Sequence, residues 1–199
     1  MSNASGGETT TSPSVMFTSA AGRSLFATLL ISFATFNIRG LGSCDDPDDI
    51  HSKREQLGTD CLRYGIDICA IQETKVVKPD SCSLSNGYKL VLFEQKNGRH
   101  YGLGFVISPR FIDYVVCWNS ISDRVSFLDL ELPTKSGKLI KCRVVNVYGP
   151  HKKLAENNQQ LLINFYSQVR DALNVPANVE IFVLGDFNSK LGKMTVSDK

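Results

Sequence analysis

The chain has 199 residues, of which 42% are hydrophobic, and Lys+Arg 22 against Asp+Glu 20 gives a formal net charge of +2. That length supplies one domain with a sizeable core. A nearly neutral balance neither demands nor excludes nucleic acid, so any phosphate recognition must rest on local geometry. The cysteines Cys44, Cys61, Cys69, Cys82, Cys117 and Cys142 contain no C-x-x-C pair. This pattern fits reduced thiols in an intracellular protein, nuclear or cytoplasmic, better than a disulfide framework or a zinc site.

Residues 1–24 are rich in Ser, Thr, Gly and Ala and read as a disordered leader, with one domain over 25–199. The apolar run Leu25–Phe36 is too short for a comfortable membrane span, and no small-residue cleavage pattern follows it. It reads as a leader joined to a first core strand that ends at Asn37, so no membrane partner is expected. The polar turn Cys44–Asp49 comes next, with Asp48 or Asp49 as a cap for a helix over about 51–65. Leu57, Cys61 and Leu62 make its apolar face, and Gly65 stops it.

Asp67-Ile-Cys-Ala-Ile-Gln-Glu-Thr74 is a short buried-strand run closing on the acid Glu73. Strands are then expected over Tyr88–Phe93, Tyr101–Ser108 and Tyr114–Trp118, with an Asn97-Gly98 hairpin turn between the first two. Val125–Leu132 alternates, and Ser136-Gly137 turns it into Leu139–Tyr148. Leu162, Phe165, Tyr166, Val169 and Leu173 recur at helical spacing within about 154–174, and Pro176 ends that helix. Val179, Ile181, Phe182, Val183 and Leu184 again make a short apolar run, the pattern of a strand buried on both faces.

The last run is followed by Gly185, Asp186 and Asn188. In extended chain Asp186 and Asn188 point the same way. The carboxylate can hold a water or a metal, and the amide can donate to a phosphate oxygen. Gly-Asp-Phe-Asn reads equally as a turn on its own. It does not stand alone, because the order strand, Asn-x-x-Gly, helix, strand, acid occurs twice: Asn37 to Glu73, and Asn146 to Asp186. This weak internal repeat gathers four strand ends where one site can form. Strands and helices mix without strict alternation, which predicts an α/β sandwich of mixed sheets.

Four ordered motifs carry a family resemblance. Phe36-Asn-Ile-Arg-Gly-Leu41, Ala70-Ile-Gln-Glu-Thr-Lys75, Val145-Asn-Val-Tyr-Gly-Pro150 and Leu184-Gly-Asp-Phe-Asn-Ser-Lys-Leu-Gly192 resemble the endonuclease/exonuclease/phosphatase family. Within it the chain is most similar to the apurinic-type endonuclease domains of non-LTR retrotransposons. The resemblance implies a DNase I-like two-sheet α/β sandwich and a magnesium-dependent (or manganese-dependent) phosphodiesterase acting on DNA. It implies Glu73 as the metal-binding acid, with Asn37 beside metal and phosphate. It implies Tyr148 at the scissile phosphate, Asp186 orienting or deprotonating the attacking water, and Asn188 stabilising the transition state. As residue types alone, Tyr148 also fits a core-edge tyrosine, and Arg39 and Lys75 fit solvated cations.

The family pattern continues past this motif with further strands, another acid and a terminal Ser-Asp-His. Here the chain reads Ser197-Asp198-Lys199, and His51, His100 and His151 fall in a helix start, a hairpin and a loop. The sequence therefore predicts missing C-terminal strands and a site short of an acid and a histidine. A catalytically inactive fragment or binding module of the same fold is the alternative function.

Overall fold

The computed structural model describes residues 30–41, 47–95, 101–134 and 137–189. In chain order these form β1 (Phe33–Asn37), α1 (Pro47–Arg63), β2 (Ile68–Gln72), β3 (Asp80–Ser83), β4 (Lys89–Leu92) and β5 (Leu103–Ile107). Then come β6 (Val115–Ser122), β7 (Val125–Pro133), β8 (Leu139–Tyr148), α2 (Lys152–Asn157), α3 (Gln159–Leu173) and β9 (Val179–Asp186). The strands make a five-stranded sheet ordered β1-β2-β5-β4-β3 and a four-stranded sheet ordered β6-β7-β8-β9.

The sheets pack face to face, with an apolar core of Ile68, Phe105, Leu128, Leu130 and Val144 between them. Helix α1 covers the outer face of the larger sheet, where Leu57 and Cys61 meet Cys69, Ile71, Leu90 and Val106. Phe165 and Ala172 of α3 cover the smaller sheet at Val125, Val145 and Val147. The result is a helix–sheet–sheet–helix sandwich of mixed sheets, the fold class that the sequence predicts.

The internal repeat is structural. β1 and β2 are parallel across α1, and β8 and β9 are parallel across α2 and α3. One such unit lies in each sheet, and both end their strands on the same side. The seam between them is polar at one buried point. Asn146 of β8 donates to the carbonyls of Ile71 and Gly104 at 3.0 Å each and accepts from Gln72 Nε2 at 2.8 Å. Each of these buried groups finds a partner across the seam, so the clamp fixes how the two sheets register.

Some local expectations change. α1 begins at Pro47, earlier than about 51, so Asp48 and Asp49 lie in its first turn and not at its cap. A proline suits the first helical position because its missing N–H has no helical partner there. The helix does end as Gly65 predicts: Gly65 takes φ +63°, and Ile66 N donates to Cys61 O at 2.9 Å. The second helical region is two helices, because Asn158 caps α3 by accepting from Leu161 N at 3.0 Å. Leu62 and Tyr166, placed on apolar faces by their spacing, are 57% exposed in each case. β3, a short strand of Asp80-Ser-Cys-Ser83, carries no apolar alternation that could announce it.

The largest difference is β9. It is not buried on both faces: Ile181 and Val183 are 37% and 39% exposed. Burial needs a neighbour on each side and a cover on each face. β9 pairs only with β8 among the described residues, while α3 lies over β6, β7 and β8. Its inner side chains, Phe182 and Leu184, do pack on the core between the sheets, Phe182 stacking on Phe33 of β1. The leader, the Cys44 turn, the Asn97-Gly98 turn, His100, Ser136 and Ser197–Lys199 lie outside the described residues. Among the described residues no helix is long and apolar enough to cross a membrane.

Candidate active site

Asn37, Glu73, Tyr148, Asp186 and Asn188 meet at the ends of β1, β2, β8 and β9. Asn37 pairs in register with Gln72, one residue before Glu73, and Tyr148 pairs with Asp186. Each parallel unit thus brings its two strand ends side by side, and packing of the sheets brings the two units together. The Asn37 amide nitrogen donates to Glu73 Oε1 at 2.7 Å and to Asp186 Oδ2 at 3.1 Å. Its oxygen accepts from Arg39 N at 3.2 Å, which fixes the orientation of the amide.

Tyr148 is 1% exposed, yet its hydroxyl reaches the same acid, donating to Glu73 Oε1 at 2.7 Å. That hydroxyl also lies 3.0 Å from His151 Nε2. Its single proton is given to Glu73, so the contact with His151 needs an Nε2–H on the imidazole. Burial pushes the Glu73 carboxyl up, but the hydrogen bonds from Asn37 and Tyr148 and the charges of Lys75 and His151 outweigh it. The net effect holds Glu73 below the usual carboxylate range, and it is ionised at neutral pH. Burial, then the hydrogen bond and charge of Glu73, push the Tyr148 phenol well above its ordinary value. Tyr148 therefore stays a proton donor at any physiological pH.

On the other side, Asn188 N donates to Asp186 Oδ1 at 2.9 Å and Asn188 Nδ2 to Gly149 O at 2.8 Å. Gly149 N donates in turn to Asp186 O at 2.7 Å. A side chain at position 149 is excluded, because a Cβ there would stand 2.3 Å from Phe187 O. The backbone is strained around the same place. Arg39, Glu73, Lys75 and Asn188 are the non-glycine residues with positive φ among the described ones, at 51°, 55°, 57° and 49°. Such conformations cost about 1–3 kcal/mol each and persist where the surroundings impose them.

The sequence profile of the Endonuclease/Exonuclease/phosphatase family matches residues 34–198. The chain belongs to that family. No curated protein matches it. The APE2 catalytic domain from Xenopus laevis is similar in fold at 14% identity, with a TM-score of 0.57 over 83% of this chain and 62% of that one. TDP2 from C. elegans matches at 15% identity and a TM-score of 0.46, over 81% of this chain and 50% of that one. ANGEL2, a 2′,3′-cyclic phosphatase, matches at 12% identity and 0.46, over 78% and 52%. At 14% identity the likeness to APE2 is one of fold alone, and the chain spans less than two thirds of each of these three structures.

The five candidate residues lie together at the strand ends of the two parallel units. His151 joins the cluster although its place in a loop gives no functional signal on its own: Gly149-Pro150 turns the chain so that the imidazole returns to the hydroxyl of Tyr148 three residues before it. A Tyr-Gly-Pro-His order just past a strand end is the signal that could have found it. Arg39 and Lys75 are both exposed at the rim, and only Lys75 bears on the charge of Glu73.

Proposed function

We propose that this chain carries the site of a divalent-metal-dependent phosphodiesterase, used on DNA in the manner of the retrotransposon endonucleases. The observation that supports it most is the single Asn37 amide held between the carboxylates of Glu73 and Asp186, at 2.7 and 3.1 Å. Two acids approaching one positively polarised group present carboxylate oxygens, which suit a hard cation such as magnesium or manganese. Glu73 would hold the ion, with Asn37 beside it. Bound there, the metal supplies charge neutralisation at the phosphodiester.

The chain's own residues supply the rest. Tyr148, kept protonated, gives its one proton to Glu73 in this structure, and would donate it to a phosphate oxygen on turning from Glu73 to a substrate. Asp186 has one oxygen tied to Asn188 N and the other to Asn37, so its orientation is fixed for accepting from an attacking water. Asn188 spends one amide hydrogen on Gly149 O and has a second to offer to substrate.

The second reading is a binding module or inactive fragment of the same fold. It draws support from the donor set, because no group of three or more His, Cys, Asp or Glu side chains among the described residues is placed to hold a metal. Relaxation of supercoiled plasmid decides between the two. Nicking that needs magnesium and is lost on EDTA treatment or in Asp186→Ala supports the enzyme. Plasmid left intact by a chain that still binds the metal supports the binding module.

A further inference from the structure

Arg124 sits in the turn between β6 and β7 and is 6% exposed. Its Nη1 donates to two consecutive carbonyls, Tyr148 O at 3.1 Å and Gly149 O at 3.2 Å. Its own carbonyl accepts from Tyr148 N at 2.8 Å. The guanidinium lies over the ring of Tyr101 at 4.1 Å and reaches that of Tyr148 at 5.3 Å. Its Nη2 is buried and makes no hydrogen bond, and the cation makes no ion pair among the described residues.

A buried cation without a carboxylate is a poor way to stabilise a fold. An apolar side chain of similar volume commonly does as well or better in such a place. What Arg124 does hold is specific. The two carbonyls it grips form the corner that carries Tyr148, and the second of them also receives the Asn188 amide. The same Gly149 is joined to Asp186 through its N–H. The corner cannot be braced by a side chain of its own, since position 149 has no room for a Cβ.

We propose that Arg124 is a positioning residue, which fixes the Tyr148–Gly149 corner and with it the aim of the Tyr148 hydroxyl and the Asn188 amide. This rests on the reading above only in taking Tyr148 and Asn188 as site residues. Its test reads the position of a ring and not nicking, so the two ideas fail separately.

The experiment places 3-fluorotyrosine at position 148, and in a second sample at the exposed Tyr64 as a control, and records ¹⁹F spectra of the full chain. The unsubstituted protein should give one narrow resonance at 148. Arg124→Met should keep a cooperative thermal transition at an unchanged or higher midpoint, yet split, broaden or shift the resonance at 148 and leave that at 64 unmoved. Arg124→Lys, which keeps a cation over the rings and one carbonyl contact, should return the signal part of the way. An unmoved resonance at 148 in both variants overturns the proposal. So does loss of cooperative unfolding in both, because Arg124 would then be a structural residue.

Discussion

Asn37 donates its side-chain amide to Asp186 Oδ2 at 3.1 Å across 149 positions of sequence. One residue ends the edge strand of the larger sheet, the other ends the edge strand of the smaller. The same amide nitrogen holds Glu73, so one neutral side chain keeps two carboxylates apart from direct repulsion. Asn37→Ala removes that donor from both. A hydrogen bond to a charged group is worth about 1.5–3 kcal/mol when buried, and these are partly exposed, so a loss of about 1–2 kcal/mol is expected. A urea midpoint unchanged from the parent would show that the bridge contributes nothing.

The charge state of Glu73 makes a pH prediction. Its folded pKa lies below its unfolded value of about 4.3, because its hydrogen bonds and neighbouring cations outweigh its burial. A depressed pKa gives stability that is present above the unfolded value and is lost as pH falls through the folded one. The stability difference between the parent and Glu73→Gln should therefore be constant from neutral pH down to about 5.5 and shrink below about 4. Denaturant melts across that range measure it, and a difference that grows on acidification would reverse the assignment.

Gly149→Ala tests the corner from the other side. The added methyl would meet Phe187 O, C and Cα at 2.3, 2.7 and 3.1 Å, all of them backbone atoms that cannot rotate away. The ends of β8 and β9 must then separate, at a cost of about 1–3 kcal/mol. The Gly149 N to Asp186 O hydrogen bond should weaken with it, seen as faster amide exchange at Gly149. A variant as stable and as protected as the parent would mean that the corner is not tight.

The exposed run on β9 predicts self-association. An edge strand with apolar residues on its open face is a template for another strand, and a lysine there is a common deterrent. The double variant Ile181→Lys, Val183→Lys should keep its circular-dichroism spectrum while binding less hydrophobic dye and sedimenting more nearly as a monomer. Equal dye binding by parent and variant would show that this face is not the sticky one.

How much of this is legible in the sequence follows from where each signal comes from. The two parallel units were readable because Asn, Gly and an acid recur in the same order around apolar runs, and strand-end residues of that kind have few other reasons to repeat. β2 was readable as a buried strand for the same reason, and all five of its residues are buried. β9 has the same kind of sequence but a different environment, since a sequence states what a strand would like to cover it and not what does. β3 was hidden because a polar Asp-Ser-Cys-Ser strand is placed by pairing to β4 and by the Arg54–Asp80 ion pair, neither of which leaves an apolar pattern in the sequence. Asp186 and Glu73 were found as strand-end acids. The contact of His151 with Tyr148 was not, because it depends on how Gly149-Pro150 turns, and Arg124 reaches the site from a turn 24 residues away.

The most direct test is a calorimetric titration of the full chain with manganese, repeated on Glu73→Gln. One saturable site per chain is expected in the parent, weakened about 10-fold or more by the substitution, since an ion held by one ionised carboxylate loses its principal ligand. Asp186→Ala should weaken the same site to a smaller degree. Equal manganese affinity in the parent and in Glu73→Gln would contradict the assignment of this cluster as a metal-dependent site.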